Sequence, residues 1–490
     1  MRPTRRAVLA GLGAGALIGG LGWPRRAHAT SIALTSGPLS GTSYKVLEIF
    51  LAGGLSHQET LWLTSATGPS WSPPASSYDF STNIDSSLAS ATGAALATDW
   101  QGCQVYLGAA TTPIHDASWL ARTRLVALAH GLPPHPAAVP YALGGHTLGR
   151  PLRAGLGSAV QRLAGSPTVP ASYVLHSGRA ATAMHAAATG QHGAENSPLV
   201  LELGSKGERV INQMQRRTEA RNDDLLSIYN DNYAKKLTRW NAPSSGQVRA
   251  PAYDLYSSAL SRLGEAENII GSLLSSGMPT DFLQYDTSHT DFSDSDNVAR
   301  RAVRAGVELL LNTSAQYACV IDDGIDEDYD RHASGSASMS DAFTTQAGNL
   351  WQVLDELTTR LSASDLNDVM VVIHSEFGRH PSAVDGSATG TEHHIDGYAA
   401  LLIGGPVTSA GVGGSLCTSS SCDDFTTSLA GPQCDEAGTG VVPGPPHLRA
   451  ALLMAAGIDP ENADCFDSAD IALGISSSVL DDLADYFYWG

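Results

Sequence analysis

Lysine is almost missing from this chain: four occur in 490 residues. Charged residues of all kinds make up only 16%, and acids outnumber bases 49 to 29, for a formal net charge of -20. A surface this acidic repels phosphate backbones and anionic lipid, which excludes nucleic acid and anionic membrane as partners. Long hydrophobic runs are lacking too. The Gly/Ala/Leu stretch near the N-terminus is too short and too mildly apolar to make a good membrane span, and the mature chain holds no other span. Internal repeats and heptads are absent. What is there is a 42% apolar composition, that of a soluble globular protein. The length suits two ordinary domains or one large α/β domain with insertions.

The N-terminus has the pattern of a targeting segment. Thr4-Arg5-Arg6-Ala7-Val8-Leu9 sets paired arginines before the small apolar stretch, which ends at Ala27-His28-Ala29, an A-x-A cleavage site. This resembles a twin-arginine export signal. Residues 1–29 are expected to be removed after passage through the twin-arginine translocase, leaving residues 30–490 periplasmic or secreted. Six cysteines remain: Cys103, Cys319, Cys417, Cys422, Cys434 and Cys465. An even count in an oxidising compartment predicts disulfides, of undefined pairing. A zinc knot around Cys417, Cys422 and Cys434 is the alternative.

Short apolar runs at 45–51, 124–129, 199–203, 316–321, 369–373 and 399–403 predict strands, most bounded by Gly, His or Asp. Amphipathic stretches lie between them. Leu226, Tyr229, Tyr233 and Leu237 recur at helical spacing, as do Val303, Val307 and Leu310 after the capping residues Ser295 and Asp296. Strands alternating with helices predict an α/β fold with a mainly parallel sheet and helices on both faces. A single domain over 30–490 is expected, with a helical insertion at 205–295. The Ser-, Gly- and Pro-rich segments 68–98 and 408–445 predict surface loops, the latter also cysteine-rich.

The chemistry follows the strands. After 45–51 comes Gly53-Gly54, then His57 and Glu59. After 124–129 come His130 and His135. After 316–321 comes an acidic stretch ending in Tyr329-Asp330-Arg331-His332. After 369–373 comes His374-Ser375-Glu376-Phe377-Gly378-Arg379-His380, followed by Glu392-His393-His394. Eight of the sixteen histidines lie in these segments. A parallel sheet lines up its carboxyl ends, so these groups can converge on one crevice. Imidazole nitrogen with carboxylate oxygen suits zinc, manganese or a similar cation, while the closely spaced acids of 322–330 suit calcium. Taken singly, each group has a plainer role: His57 as a helix cap, the acids as a solvated turn, Glu376 with Arg379 as a structural ion pair.

These segments resemble a bacterial family called domain of unknown function 1501. Residues 50–60 are similar to its opening "flrGGpSHidtfD" motif, and Ser375-Glu376-Phe377-Gly378-Arg379 is similar to its most specific signature. Tyr329-Asp330-Arg331-His332 matches "fDtH", Glu392-His393 fits "GrDHw", residues 399–405 fit the strand after it, and Ala456-Gly457-Ile458-Asp459 fits the closing motif. The family is similar in fold to the alkaline phosphatase and sulfatase superfamily. The resemblance implies a metal-assisted phosphate- or sulfate-ester site. It places Asp330, His332 and His393 in one metal cluster and Glu376 at a second position. Pro134-His135-Pro136 stands where the family carries Ser-His. The histidine is kept and the hydroxyl is lost, so a covalent phospho-enzyme route lacks its usual nucleophile, leaving direct attack by a metal-bound water, or Ser56 or Thr60 in its place, as alternatives.

The expectation is an exported hydrolase of phosphate or sulfate esters, dependent on a divalent metal (zinc, manganese or calcium). Asp330, His332, Glu376 and His393 would hold the metal. Arg379 would steady the substrate anion, and His57 or His135 would act as acid/base or as a further ligand. The alternative is a non-catalytic exported protein that binds an envelope polymer on a hydrolase-like fold.

Overall fold

The computed structural model describes residues 33–55, 60–63, 93–99, 102, 104–146, 153–165, 170–176, 180–188, 196–202, 235, 298–322, 329–330, 339–379, 393–394, 397–414, 443–461, 463, 465 and 477–489. The export segment 1–29, most of the insertion 205–295, His57 and His332 lie outside them.

The strands are β1 (Lys45–Leu51), β2 (Trp62–Leu63), β3 (Ala94–Thr98), β4 (Gln104–Leu107), β5 (Thr123–Leu128), β6 (Ser172–His176), β7 (Leu199–Glu202), β8 (Tyr317–Asp322), β9 (Val369–Ser375), β10 (Gly378–Arg379), β11 (His393–His394), β12 (Tyr398–Gly404) and β13 (Gly411–Gly413). Eight form one sheet in the order β13-β5-β12-β9-β1-β8-β6-β7. All neighbours pair in parallel except at β12, which runs antiparallel to both β5 and β9. Strand β1 sits near the middle, parallel to β8 and β9. Both its faces are covered, which is why its sequence is almost continuously apolar rather than alternating.

Helices close both faces. They are α1 (Ala117–Leu120), α2 (His135–Gly144), α3 (Leu156–Ala164), α4 (Ala180–Ala186), α5 (Val298–Asn312), α6 (Met339–Arg360), α7 (Pro445–Ala455) and α8 (Ser477–Ala484). Alternate residues of β1 divide between the two layers. Leu47, Ile49 and Leu51 pack with Val303, Val307 and Leu310 of α5 and with Leu350, Val353 and Leu357 of α6. Val46 and Phe50 join the opposite layer, with Leu143 of α2, Val160 of α3 and Leu448 and Leu452 of α7. Each such side chain contributes roughly 1.5–3 kcal/mol by leaving water.

One charge cluster interrupts this apolar core. Glu48 of β1 is fully buried. Its carboxylate accepts hydrogen bonds from Tyr317 (2.6 Å), from Arg449 Nη1 (2.8 Å) and from Arg449 Nη2, and it bonds His374 Nε2 at 2.7 Å. Burial alone would raise the carboxyl pKa. The Arg449 charge and these hydrogen bonds outweigh it and hold Glu48 well below the usual carboxylate range.

The expected α/β class with a mainly parallel sheet holds, and every strand predicted from sequence occurs. Two corrections concern the predicted loops. Within 68–98, Ala94–Thr98 forms β3 of a small antiparallel sheet, ordered β2-β4-β3. Within 408–445, Gly411–Gly413 pairs with β5 as a buried edge strand. Strand β6 was not predicted at all. No disulfide forms among the described residues, where Cys319 and Cys465 are buried thiols; the other four cysteines lie outside them. Among the described residues no helix is long and apolar enough to cross a membrane.

Candidate metal centre

The carboxyl ends of β1, β5, β8 and β9 meet at one edge of the sheet, because these four strands run in the same direction. Four segments built on those ends supply the site.

The chain leaves β1 through Gly53 and Gly54, both at positive φ (120° and 88°). Only glycine fits here. A Cβ on Gly53 would lie 2.2 Å from the backbone nitrogen of Asp330, and one on Gly54 would lie 2.6 Å from the Phe377 ring. This turn therefore packs directly against the backbone that carries Asp330. From the β8 side, Tyr329 fixes the same place. Its N–H donates to Ala52 O (3.0 Å), its hydroxyl donates to Asp322 (2.8 Å), and its carbonyl accepts from Gln346 (2.9 Å). Asp322 also accepts from Asn349 at 2.9 Å. The first acid of the 322–330 stretch thus anchors the loop; 323–328 lie outside the described residues.

From β5 the chain runs through His130 to α2. His130 Nδ1 accepts from Leu132 N–H at 3.2 Å, so its hydrogen sits on Nε2, which donates to the carbonyl of Glu376. Burial lowers its pKa, in keeping with a neutral ring. Pro134 is the N-cap of α2 and offers no side-chain cap; His135 is the first helical residue. At the end of β9, the single Ser375 hydroxyl hydrogen lies within reach of two acceptors, Leu51 O (2.6 Å) and Glu376 Oε2 (2.9 Å). Two residues on, the β10–β11 pair sets His393 opposite Arg379.

His135, Asp330 and His393 come together as a group that could hold a metal ion. One ligand atom from each lies within 4.8 Å of the others, and all three residues are half-buried. His135 Nε2 is 3.2 Å from Asp330 Oδ2, and its Nδ1 is 2.8 Å from Glu376 Oε1. Its ring packs against His393 and Phe377, with centroids 4.6 and 4.8 Å away, while Phe377 and His393 are 4.1 Å apart. His393 Nδ1 donates to Pro133 O at 2.6 Å, which places the hydrogen of a neutral ring on that nitrogen. Burial disfavours the charged form of His135, but the hydrogen bonds to Asp330 and Glu376 outweigh it and push its pKa up to about 9.

Of the residues singled out from sequence, the fold thus joins His135, Asp330 and His393. Glu376 stands behind His135, its Oε1 also accepting from Gly53 N–H at 2.9 Å. Arg379 has no side-chain exposure; it donates to Gly54 O (2.9 Å), Gly53 O (2.6 Å) and Asp330 Oδ1 (2.5 Å). Sequence reasoning missed the structural parts played by His130 and Tyr329. The signal for Tyr329 was its place between an acid run and Asp330; for His130 it was a histidine directly after a buried strand.

No curated protein shows a significant match to this chain. Among solved structures, the crystal structure of Ps i-CgsB in complex with k-i-k-neocarrahexaose is similar at 9% identity and a TM-score of 0.31, covering 85% of this chain and 77% of that one. A likeness at that level carries no argument about activity. The sequence model of the family described as "Protein of unknown function (DUF1501)" matches residues 44–420, which include every described residue of the candidate centre, and the chain belongs to that family.

Proposed function

We propose that this is a metal-dependent hydrolase of phosphate or sulfate esters with an alkaline phosphatase-like arrangement, exported by the twin-arginine route to act in the periplasm or outside the cell. The observation that carries the reading is the convergence of His135, Asp330 and His393 at the carboxyl edge of the sheet. Two imidazoles and one carboxylate suit zinc or manganese better than calcium, which prefers oxygen ligands throughout. A cation held there would supply Lewis acidity toward a phosphoryl or sulfuryl oxygen. His135 and Asp330 keep side-chain exposures of 26% and 30%, so a substrate can reach them.

Pro134 favours a second reading. The N-cap position in front of His135 offers no hydroxyl, so a covalent ester intermediate would need another nucleophile. An envelope-polymer-binding protein with a structural metal needs none.

The test uses the mature protein stripped with chelator and reloaded with zinc, manganese or calcium. Bound metal is quantified, and aryl phosphate and aryl sulfate esters are assayed. The expected result is about one zinc or manganese per chain and metal-dependent turnover, both lost in His135→Ala, Asp330→Ala and His393→Ala. Undiminished metal in all three variants would sink the centre. Stoichiometric metal with no turnover would favour the binding protein.

A further inference from the structure

We propose that Glu376 and Arg379, the two charged residues of the Ser375–Arg379 signature, are positioning residues that stand behind the metal ligands. Glu376 sets which nitrogen of His135 faces the cation, and Arg379 sets which oxygen of Asp330 does. This rests on the metal-centre reading above and gives the signature a different part from metal ligation or substrate binding.

The geometry of Glu376 is that of an outer-shell carboxylate. It is 1% exposed, and its two oxygens are committed. Oε1 takes the Gly53 N–H at 2.9 Å and His135 Nδ1 at 2.8 Å, while Oε2 bonds Ser375 Oγ at 2.9 Å. A carboxylate accepts, so when a cation takes Nε2 the hydrogen left on His135 sits on Nδ1, against Glu376. The lone pair is then on Nε2, the nitrogen 3.2 Å from Asp330. A ligand histidine commonly has its second nitrogen fixed by a carboxylate or backbone carbonyl, which sets the tautomer and raises ligand basicity. His393 shows the same pattern with a different acceptor, the Pro133 carbonyl.

Arg379 does for Asp330 what Glu376 does for His135. One guanidinium ties the carbonyls of Gly53 and Gly54 to Asp330 Oδ1, which leaves Oδ2 on the His135 side. The Gly53-Gly54 turn is therefore shared: its N–H holds Glu376, and its carbonyls hold Arg379. Both ligands are set from one rigid corner. A guanidinium with no side-chain exposure is shielded from a substrate anion in the crevice.

The experiment compares the full mature chain with Glu376→Ala, Glu376→Asp, Glu376→Gln and Arg379→Gln. Zinc affinity is measured by competition with a chromophoric chelator, and the cobalt-loaded forms are examined by visible absorption. The imidazole tautomers are read by nitrogen NMR on zinc-loaded, histidine-labelled protein. E376A should bind zinc about 10–100-fold more weakly, the range typical for loss of an outer-shell partner. Its cobalt bands should shift, and its His135 should lose the single Nδ1–H form. E376Q, whose amide oxygen can still accept from Nδ1, should recover most of the affinity. R379Q should weaken binding about tenfold while leaving the His135 tautomer in place. Folding is checked by circular dichroism. If E376A does not fold, E376D carries the test, since it keeps the charge but shortens the reach. Wild-type affinity and cobalt spectrum in a folded E376A or E376D would overturn the inference while leaving the metal centre standing. A wild-type protein that binds neither zinc nor cobalt would overturn both.

Discussion

Replacing Gly53 by alanine separates two costs that the turn after β1 combines. The first is conformational. Gly53 sits at φ 120°, and a left-handed backbone costs an L-residue roughly 1–2 kcal/mol. The second is contact. The added Cβ would stand 2.2 Å from Asp330 N and 2.7 Å from Tyr329 C, both backbone atoms that cannot rotate away. The turn must shift, and with it go the Gly53 N–H bond to Glu376 and the Arg379 bond to Gly53 O. Each involves a charged partner, worth about 1.5–3 kcal/mol. Allowing partial relaxation, Gly53→Ala should cost roughly 3–6 kcal/mol. Gly41 provides the control. It has φ 77° and is exposed, and a Cβ added there would meet nothing within 4 Å, so Gly41→Ala carries the conformational cost alone, about 1–2 kcal/mol. Urea unfolding of metal-stripped protein reads both. A Gly53→Ala protein within about 0.5 kcal/mol of Gly41→Ala, a margin typical of neutral surface substitutions, would show that the close approach of the turn to Asp330 does not matter.

Two further outcomes follow from buried charge. Arg449→Met leaves Glu48 without its cation and should cost about 3–5 kcal/mol in urea unfolding, with Glu48→Gln/Arg449→Met regaining most of it; an additive double variant would refute the pairing. His447 is buried, and its Nδ1 accepts the Gly444 N–H that opens α7 (3.1 Å). Burial pushes its pKa down to about 4, so between pH 6.5 and 4 the unfolded chain takes up a proton that the folded one refuses. Stability is therefore full above 6.5 and falls by about 3 kcal/mol as pH drops to 4. His447→Gln should flatten that part of the profile, and an unchanged slope would contradict the assignment.

The parts of the fold legible in the sequence were those where burial leaves a compositional trace. Strands β1, β5, β8, β9 and β12 lie inside the sheet, so their residues form apolar runs. Strand β6 escaped because Ser172, Tyr173 and His176 break up its pattern although all five residues are buried. Strand β13 escaped because Gly-Val-Gly has no strand signature away from its partner β5. The place of the site was legible for a topological reason: chemistry-bearing residues followed four strands, and parallel strands share an edge. The division of labour was not. Whether a histidine or a glutamate reaches the shared point depends on where each side chain is tethered. The tether on Glu376 is the N–H of Gly53, 323 residues away in the chain.

The Glu48–Arg449 pair also bears on the order in which the chain can fold. Its partners are 401 residues apart, and the ends of the fold are tied nearby: Tyr44 N–H donates to Ala455 O, and Leu34 N–H to Gly457 O. While synthesis proceeds from the N-terminus, β1 can meet β8 and β9 only late, and its glutamate finds its guanidinium later still. Until residue 449 is in place, closing the sheet would bury the Glu48 carboxylate without its arginine, at a cost of about 3–5 kcal/mol. The centre of the sheet thus completes its charge balance only when α7 docks, which ties a central strand to a helix 401 residues away.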